Sequence, residues 1–223
     1  MDRVWQQEFQ KLFSAFSSTT IWTIQEVESR PVLHQDQTSH HHPCFGTASE
    51  PRTTATLDAN NNRFSYCANN NSNHHHKSDD NNNKLRLFVD SAKVRFCCDV
   101  CGHGWTSMKG RVVIWFDVFH VPAISFNFNG HSAVNHLLFG FCAFKLYGQQ
   151  CDQCQDVNRF ERPMWYPEEV TKVINNFYQR VGVLYYGFKA PAIDRQRRSG
   201  KPKTSHNSTL CQACKDGFCS DRK

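Results

Sequence analysis

Cysteines arranged in three CxxC pairs are the residues of this 223-residue sequence best suited to chemistry. The pairs are Cys98 and Cys101, Cys151 and Cys154, and Cys211 and Cys214. Two thiolates separated by two residues can bind one ion across a tight turn, and two such turns complete a tetrahedral zinc site. One pair alone indicates little, whereas three pairs in a chain without a secretory signal indicate structural zinc.

Six thiolates fill one and a half tetrahedral sites, so the sequence must supply two further ligands. Cys219 follows Cys214 by five residues, and His206 precedes Cys211 by five. These spacings predict two structural zinc ions, one bound by four cysteines and one by three cysteines and a histidine. The ribbon-type site is formed by Cys98, Cys101, Cys151 and Cys154, and the second site by His206, Cys211, Cys214 and Cys219.

The sequence leaves two features of this division of donors between the zinc ions undecided. The 49 residues between Cys101 and Cys151 exceed the spacer of about 15–20 that is usual in a zinc ribbon. An alternative partition therefore pairs Cys98 and Cys101 with the C-terminal cysteines. His206 also has a second interpretation, as a linker histidine that binds no metal.

Neither a catalytic metal nor a redox thiol fits this pattern. A catalytic zinc site keeps one position open for water and usually pairs it with a His or Glu base. The sequence contains no HExxH or HxE…CxxC arrangement. A redox CxxC pair needs an exposed thiol of low pKa at a helix N-terminus, whereas these pairs have strand-like and aromatic flanks. The chain is therefore predicted not to be an enzyme.

The composition constrains the compartment and the partners. The N-terminus lacks the apolar core of a secretory signal, so the eleven cysteines are expected in the reducing cytoplasm, as metal ligands and not as disulfides. No segment reaches the ~18 uninterrupted apolar residues of a membrane-spanning helix. The formal charge of +6 tolerates an acidic partner, such as nucleic acid or an anionic membrane, without requiring one.

Two amphipathic helices are predicted from apolar periodicity. Residues 2–17 carry an apolar stripe formed by Trp5, Phe9, Leu12, Phe13 and Phe16. This stripe favours a helix that packs on its own domain, with docking on a partner as the alternative. A second helix over 167–181, ended by Gly182, is expected to cover a sheet. The strands of that sheet are predicted at 93–96, 111–116 and 143–147.

These elements predict a small, zinc-stabilised α+β fold, with a zinc-ribbon-like antiparallel sheet and a covering helix. Residues 29–84 contain Asn and His runs and are predicted to form a disordered insert, in which Cys44 and Cys67 are spare thiols. The mostly uncharged stretch 121–142 is interpreted as a long loop or an insertion. The predicted boundaries are 1–28 for the N-terminal helix, 29–84 for the insert and 85–223 for the zinc domain.

The order of these motifs resembles the receptor-transporting protein family, whose members carry a three-CxxC zinc finger. The first motifs are Phe96-x-Cys98-x-x-Cys101-x-x-x-Trp105 and Phe144-Lys145-Leu146-Tyr147-Gly148-Gln149-Gln150-Cys151-x-x-Cys154. Phe160-Glu161-x-Pro163 and the following helix come next, and the last motif runs from His206 through Cys211 and Cys214 to Gly217-Phe218-Cys219. The resemblance covers residues 2–24, 93–119 and 144–219.

This resemblance implies a chaperone-like zinc adaptor that binds G-protein-coupled chemosensory receptors, which have seven helices, and promotes their cell-surface expression. It also implies a cytoplasmic chain associated peripherally with membranes, from the endoplasmic reticulum to the plasma membrane. Many members continue into a hydrophobic tail, whereas this sequence ends four residues after Cys219. Membrane contact is therefore expected through the receptor or the helix at 2–17. Trp105 and Trp115 are candidate receptor anchors, with core packing as the alternative.

The alternative function is RNA binding, because a related three-CxxC arrangement occurs in zygote-arrest-type RNA regulators. The basic stretch from Arg195 to Lys203 would then contact phosphates. A solvated basic linker explains the same stretch, and the sparse aromatic residues around it favour that explanation over a nucleic-acid site.

Overall fold

A computed structural model describes residues 2–35, 56–58, 63–66, 85–126, 132–154, 159–190 and 206–219. Its helices are α1 (Asp2–Phe13), α2 (Pro167–Tyr185) and α3 (Gln212–Lys215), with 3-10 turns at Ser14–Phe16 and Ser208–Leu210. Its strands are β1 (Thr20–Glu26), β2 (Val32–Gln35), β3 (Thr56–Asp58), β4 (Arg63–Tyr66), β5 (Arg86–Cys97), β6 (Gly104–Phe126), β7 (Ser132–Leu146) and β8 (Met164–Trp165).

Five strands form the main sheet, in the spatial order β1-β7-β6-β5-β8. The pairs β5–β6, β6–β7 and β5–β8 are antiparallel, as predicted for a zinc-ribbon-like fold. The outer strand β1 pairs with β7 in parallel, so the sheet as a whole is mixed and not purely antiparallel. A parallel pair needs a long crossover, and more than 100 residues separate β1 from β7 along the chain.

Strands β6 and β7 form one long antiparallel hairpin. Their pairing extends from Val112 opposite Leu146 to Phe126 opposite Ser132. The described part of the stretch 121–142 is therefore strand, and the prediction of a long loop there is wrong. Long connections without secondary structure are uncommon in compact domains, and the aromatic and β-branched residues of this stretch suit a strand. Residues 127–131 lie outside the described part of the chain.

Helix α1 packs on one face of the main sheet through its apolar stripe. Trp5 is fully buried and stacks on Phe144 of β7, with ring centroids 5.0 Å apart. Trp165 of β8 meets the same indole edge to face at 5.2 Å. Phe13 stacks on Phe177 of α2 at 5.5 Å. These contacts confirm the prediction that the N-terminal helix packs on its own domain.

Helix α2 covers the same face of the sheet with the apolar residues predicted for it. Val170, Val173, Ile174, Phe177 and Val181 are all buried. The helix continues past its predicted end at Gly182 and stops at Tyr185, so the prediction of Gly182 as the stop is wrong. A Cβ on Gly182 would lie 2.1 Å from Cδ2 of Phe188. Glycine is therefore needed inside the helix because the following chain folds back onto it.

The opposite face of the sheet carries a second, smaller core beneath the C-terminal residues. Its buried members are Val27, Leu85, Val113, Trp115, Phe141, Ala143, Tyr147, Cys211 and Ala213. The rings of Trp115 and Phe218 meet edge to face at 6.1 Å. Trp115 is enclosed in this core, so core packing, and not a role as receptor anchor, is what the structure shows for it. Trp105 is half-buried and stacks on Phe96 at 5.2 Å.

Most of the segment 29–84, predicted to be disordered, lies outside the described residues. The parts that are described include three short strands, which form a second sheet in the order β2-β4-β3. Strand β4 pairs in parallel with β2 and antiparallel with β3. Cys44 and Cys67, predicted to be spare thiols, lie outside the described residues.

Gly140 on β7 is expected to tolerate no side chain, because the indole ring of Trp22 on β1 covers it. A Cβ at Gly140 would lie 2.1 Å from Cδ2 of Trp22. We expect Gly140→Ala to lower the free energy of unfolding by about 1–3 kcal/mol, as overpacking in a core does. Gly104→Ala is the matched control, since its Cβ would meet no atom closer than 3.7 Å. Equal urea midpoints for the two zinc-loaded variants would contradict the pairing of β1 with β7.

Candidate zinc sites

The first CxxC pair lies in the turn between β5 and β6. The N–H of Cys98 donates to the carbonyl oxygen of His103 at 2.8 Å, and the N–H of Gly102 donates to that of Cys98 at 2.9 Å. Gly102 has a φ of +71°, in the left-handed region that residues with a Cβ rarely adopt. The chain thus turns tightly at Cys98 and Cys101, as it does in a zinc knuckle.

Cys151 and Cys154 follow β7 and complete a cluster of four sulfur atoms. The Sγ atoms of Cys98 and Cys154 are 3.4 Å apart, and those of Cys101 and Cys151 are 3.8 Å apart. All four Sγ atoms lie within 4.8 Å of one another. A tetrahedral zinc ion with Zn–S bonds of about 2.3 Å separates its sulfur ligands by about 3.8 Å. The four thiols therefore fit one zinc ion.

The C-terminal residues form a second cluster of four donors. Nε2 of His206 lies 3.0 Å from Sγ of Cys214, and the Sγ atoms of Cys211 and Cys219 are 3.8 Å apart. The four donor atoms lie within 4.8 Å of one another. Helix α3 carries Cys214, and Gly217, with a φ of +82°, turns the chain before Cys219. Three thiols and one imidazole are a usual donor set for structural zinc.

The sequence leaves two ways of dividing the donors between the zinc ions, and the structure shows the first of them. Cys98 and Cys101 share a cluster with Cys151 and Cys154, and not with the C-terminal donors. The hairpin of β6 and β7 accounts for the 49-residue spacer, because one strand leads away from the first knuckle and the other returns to it. His206 lies against Cys214 in the second cluster and not in a linker apart from it.

Two of the described cysteines belong to neither cluster. Cys142 on β7 is completely buried in the core beneath the helices, and this burial raises the pKa of its thiol well above the usual value. Cys97, the last residue of β5, is exposed, and its Sγ lies 3.9 Å from the carbonyl oxygen of Gly102. Cys97 is therefore a natural control for experiments on its clustered neighbour Cys98.

Comparison with known protein families agrees with this geometry. A model described as a zinc-binding domain, of the three-CxxC zinc-ribbon type, matches residues 91–217. This chain belongs to that zinc-ribbon family. The matched range contains seven of the eight clustered donors and ends two residues before Cys219.

This zinc-ribbon protein is also similar to receptor-transporting protein 4 from Mus musculus. The two sequences are 24% identical over 123 residues, which are 54% of this chain and 43% of the relative. The match thus spans less than half of the relative's length. No solved structure matches the chain.

Crowding of the thiols explains why the zinc-ribbon protein needs a cation at each cluster. The thiols of Cys101 and Cys98 raise the pKa of Cys154 well above its usual value, and burial adds to this effect. Burial raises the pKa of Cys214 to about 12, with a further contribution from Cys219. Thiolates this close repel one another unless a divalent ion neutralises them. The donor chemistry of both clusters therefore fits Zn2+, which binds thiolates in closed four-coordinate structural sites.

Zinc retention is expected to fall as the pH falls, because the ion must displace protons from the thiols. For each thiol that is protonated in the metal-free protein, the apparent affinity falls about tenfold per unit decrease in pH. Zinc retained after dialysis at successive pH values measures this effect. Zinc retention that does not change between neutral and acidic pH would contradict ligation by thiolates.

Long-range ion pairs hold the ligands in place, and sequence reasoning assigned them no role. Lys145 of β7 is 8% exposed, and its Nζ donates to Oδ2 of Asp216 at 3.0 Å, which ties the turn after α3 to the sheet. Arg159 pairs with Asp99, inside the first knuckle, and with the buried Glu161. The partners in the Lys145 and Asp99 pairs are 71 and 60 residues apart, so no local pattern marks them.

Proposed function

We propose that this zinc-ribbon protein is an adaptor that binds seven-helix chemosensory receptors and promotes their expression at the cell surface. The proposal is carried by the similarity to a protein named receptor-transporting protein 4, over 123 residues. The two closed clusters support a role in binding, because four protein donors leave no position on the zinc for a substrate or a water molecule.

The direct test is co-expression with a chemosensory receptor. The wild-type chain should co-purify with the receptor and raise its level at the cell surface. Cys151→Ala, which removes a ligand of the first cluster, should abolish both effects. Cys97→Ala is the matched control, because Cys97 is exposed and belongs to neither cluster. A receptor surface level that does not respond to the wild-type chain would overturn the proposal.

We further propose that the protein is not an enzyme and that both zinc ions are structural. Metal analysis should then give two zinc ions per chain, one for each cluster. Alkylation of the native protein, mapped by mass spectrometry, should modify Cys97 and spare all seven clustered cysteines. Cys101 is the informative position, because it is exposed yet expected to be protected by the metal. A clustered thiol that reacts as fast as Cys97 would indicate an open site.

A small apolar patch on β5 is a candidate contact for the receptor. Leu87 and Val89 are 47% and 37% exposed. They lie opposite Trp115 and Val113 of β6, on the face of the sheet that carries the second core. Adjoining exposed apolar side chains can mark a protein interface when they form a continuous patch. A receptor segment that bound to this patch would extend the second core.

Replacing both Leu87 and Val89 by Asp is expected to weaken receptor co-purification about tenfold or more, because interface energy concentrates in a few apolar anchors. Zinc content should stay at the wild-type level, since neither residue is a donor. Met108→Asp is the control, because Met108 is an exposed apolar residue elsewhere on the sheet, at 53%. Co-purification at the wild-type level in the double variant would show that the receptor binds another surface.

We propose that the protein acts in the cytoplasm and reaches the membranes of the endoplasmic reticulum and the cell surface through its receptor. No helix among the described residues is long and apolar enough to cross a bilayer. The apolar stripe of α1, the other expected membrane contact, is buried in the domain. Cell fractionation should therefore find the chain with membranes when the receptor is co-expressed. Equal sedimentation without the receptor would contradict this route.

Binding to RNA is the result that would favour the alternative function, an RNA-binding regulator, over the receptor adaptor. The basic stretch from Arg195 to Lys203 lies outside the described residues. Contacts with phosphates give binding that weakens steeply as the salt concentration rises. Filter binding at two salt concentrations separates the two functions: a salt-sensitive RNA signal favours the regulator, and an absent or salt-insensitive signal removes it.

A further inference from the structure

The two zinc clusters meet through residues 148–150, which we call the bridge segment. The bridge segment follows β7 and directly precedes Cys151, a donor of the first cluster. Its central residue, Gln149, forms an antiparallel bridge with Cys211, a donor of the second cluster. One short piece of backbone is thus in contact with both sites.

Hydrogen bonds fix the bridge segment to the residues on either side of Cys211. The N–H of Gln150 donates to the carbonyl oxygen of Leu210 at 2.8 Å, and the N–H of Gln212 donates to that of Gly148 at 3.2 Å. The N–H of Gly148 also donates to Oε1 of Gln212 at 2.9 Å. The backbone that leads into the first cluster is therefore positioned by the backbone of the second.

The side chain of Gln149 extends the connection to the first knuckle. Its Oε1 accepts a hydrogen bond from Nε1 of Trp105 at 3.0 Å, and its Nε2 donates to Oγ of Ser107 at 3.3 Å. The Trp105 ring stacks on His103 at 5.8 Å. His103 in turn accepts the N–H of Cys98 through its carbonyl oxygen. Gln149 therefore links both cysteine pairs of the first cluster to the second cluster.

A third segment of the chain, which contains Glu161, packs against the bridge segment. The backbones of Gln149 and Glu161 exchange two hydrogen bonds, of 3.2 and 2.9 Å. Arg159, next to this contact, pairs with Asp99 inside the first knuckle. A Cβ at Gly148 would lie 2.7 Å from the carbonyl oxygen of Glu161. Only glycine leaves room for three segments to meet at this position.

We propose that zinc binding at the two clusters is coupled through the bridge segment, with Gln149 as the positioning residue. Zinc in the second cluster orders residues 210–212, which then hold residues 148–150 and present Cys151 to the first ion. Coupling of this kind is reciprocal, so zinc in the first cluster favours binding at the second by the same factor. The coupling does not depend on a receptor, because it involves only the protein and its metal.

Cobalt(II) titration of the reduced, metal-free, full-length chain tests the coupling. Tetrahedral cobalt sites with four sulfur donors and with three sulfur and one nitrogen donor absorb differently, so each cluster can be followed separately. In the wild-type chain, each signal should rise more steeply with free cobalt than a single independent site does, because filling one cluster favours the other. Gln149→Ala retains all eight donors and should lower the coupling factor about fivefold or more, so that both curves approach the slope of independent sites.

Two further variants show whether Gln149 acts by positioning. Thr106→Ala changes an exposed residue between the two partners of Gln149 and should keep the wild-type curves. Gly148→Ala should lower the steepness of both curves as Gln149→Ala does, because its Cβ displaces the segment around Glu161. Independent filling in the wild-type chain would overturn the proposal. So would curves of wild-type steepness in Gln149→Ala, whether at the wild-type affinity or weaker, because they would assign Gln149 to overall folding alone.

Discussion

Replacing Cys98 or Cys154 by serine is expected to unfold the zinc-ribbon domain completely. Each substitution removes a donor from the first cluster, and a structural zinc ion contributes about 10–16 kcal/mol of apparent binding free energy in small zinc modules. A typical native domain is stable by about 5–15 kcal/mol. Loss of one ion is therefore enough to cancel the stability. Far-UV circular dichroism and thermal unfolding of the reduced variants measure the effect, and a chelator should reproduce it in the wild-type protein.

Cys97→Ser is the matched control for this prediction. Cys97 is adjacent to Cys98 in sequence, is exposed, and belongs to neither cluster. Its replacement should leave both the zinc content and the unfolding temperature unchanged, because an exposed side chain with only weak contacts contributes little to stability. A Cys98→Ser variant that unfolds cooperatively at the wild-type temperature would show that the apolar cores hold the domain without this ion. A metal-free, reduced wild-type protein that stays folded would show the same.

The donors of both clusters are predictable from sequence because each knuckle closes within a few residues. The pairing of knuckles is not predictable in the same way. Cys101 and Cys151 come together because β6 and β7 pair along their length. The length of the 49-residue spacer does not by itself predict this hairpin. His206 contacts Cys214, eight residues along the chain, across the 3-10 turn Ser208–Leu210, and its spacing from Cys211 alone does not predict that turn. Local spacing thus identifies the ligands, and tertiary pairing assigns them to ions.

The same distinction applies to the fold. The apolar stripes of α1 and α2 have a helical period, so both helices and their buried faces follow from the sequence. The parallel pairing of β1 with β7 joins residues more than 100 positions apart, and no local pattern encodes it. Trp115 shows the limit most clearly. Its strand is recognisable as a buried apolar run, but its burial on that face depends on Phe218 and the second zinc cluster.

Truncation of Trp5 is expected to be the most damaging substitution in the core beneath the helices. The indole is fully buried between Phe144 and Trp165, with ring centroids 5.0 and 5.2 Å away. Removing a buried aromatic side chain costs about 3–5 kcal/mol, because the lost contacts and the remaining cavity both destabilise the fold. We therefore expect Trp5→Ala to lower the free energy of unfolding of the zinc-loaded protein by this amount. Urea denaturation at saturating zinc measures it.

Trp5→Phe separates packing from hydrogen bonding at this site. The Trp5 Nε1 is buried without a hydrogen-bond partner among the described residues, so its removal breaks no hydrogen bond and relieves an unpaired donor. The phenylalanine variant should therefore be clearly more stable than Trp5→Ala. Arg3→Ala, at an exposed position of the same helix, should match the wild type. If Trp5→Ala proves as stable as Arg3→Ala, then α1 is not part of this core, and its aromatic stripe is free to bind a partner.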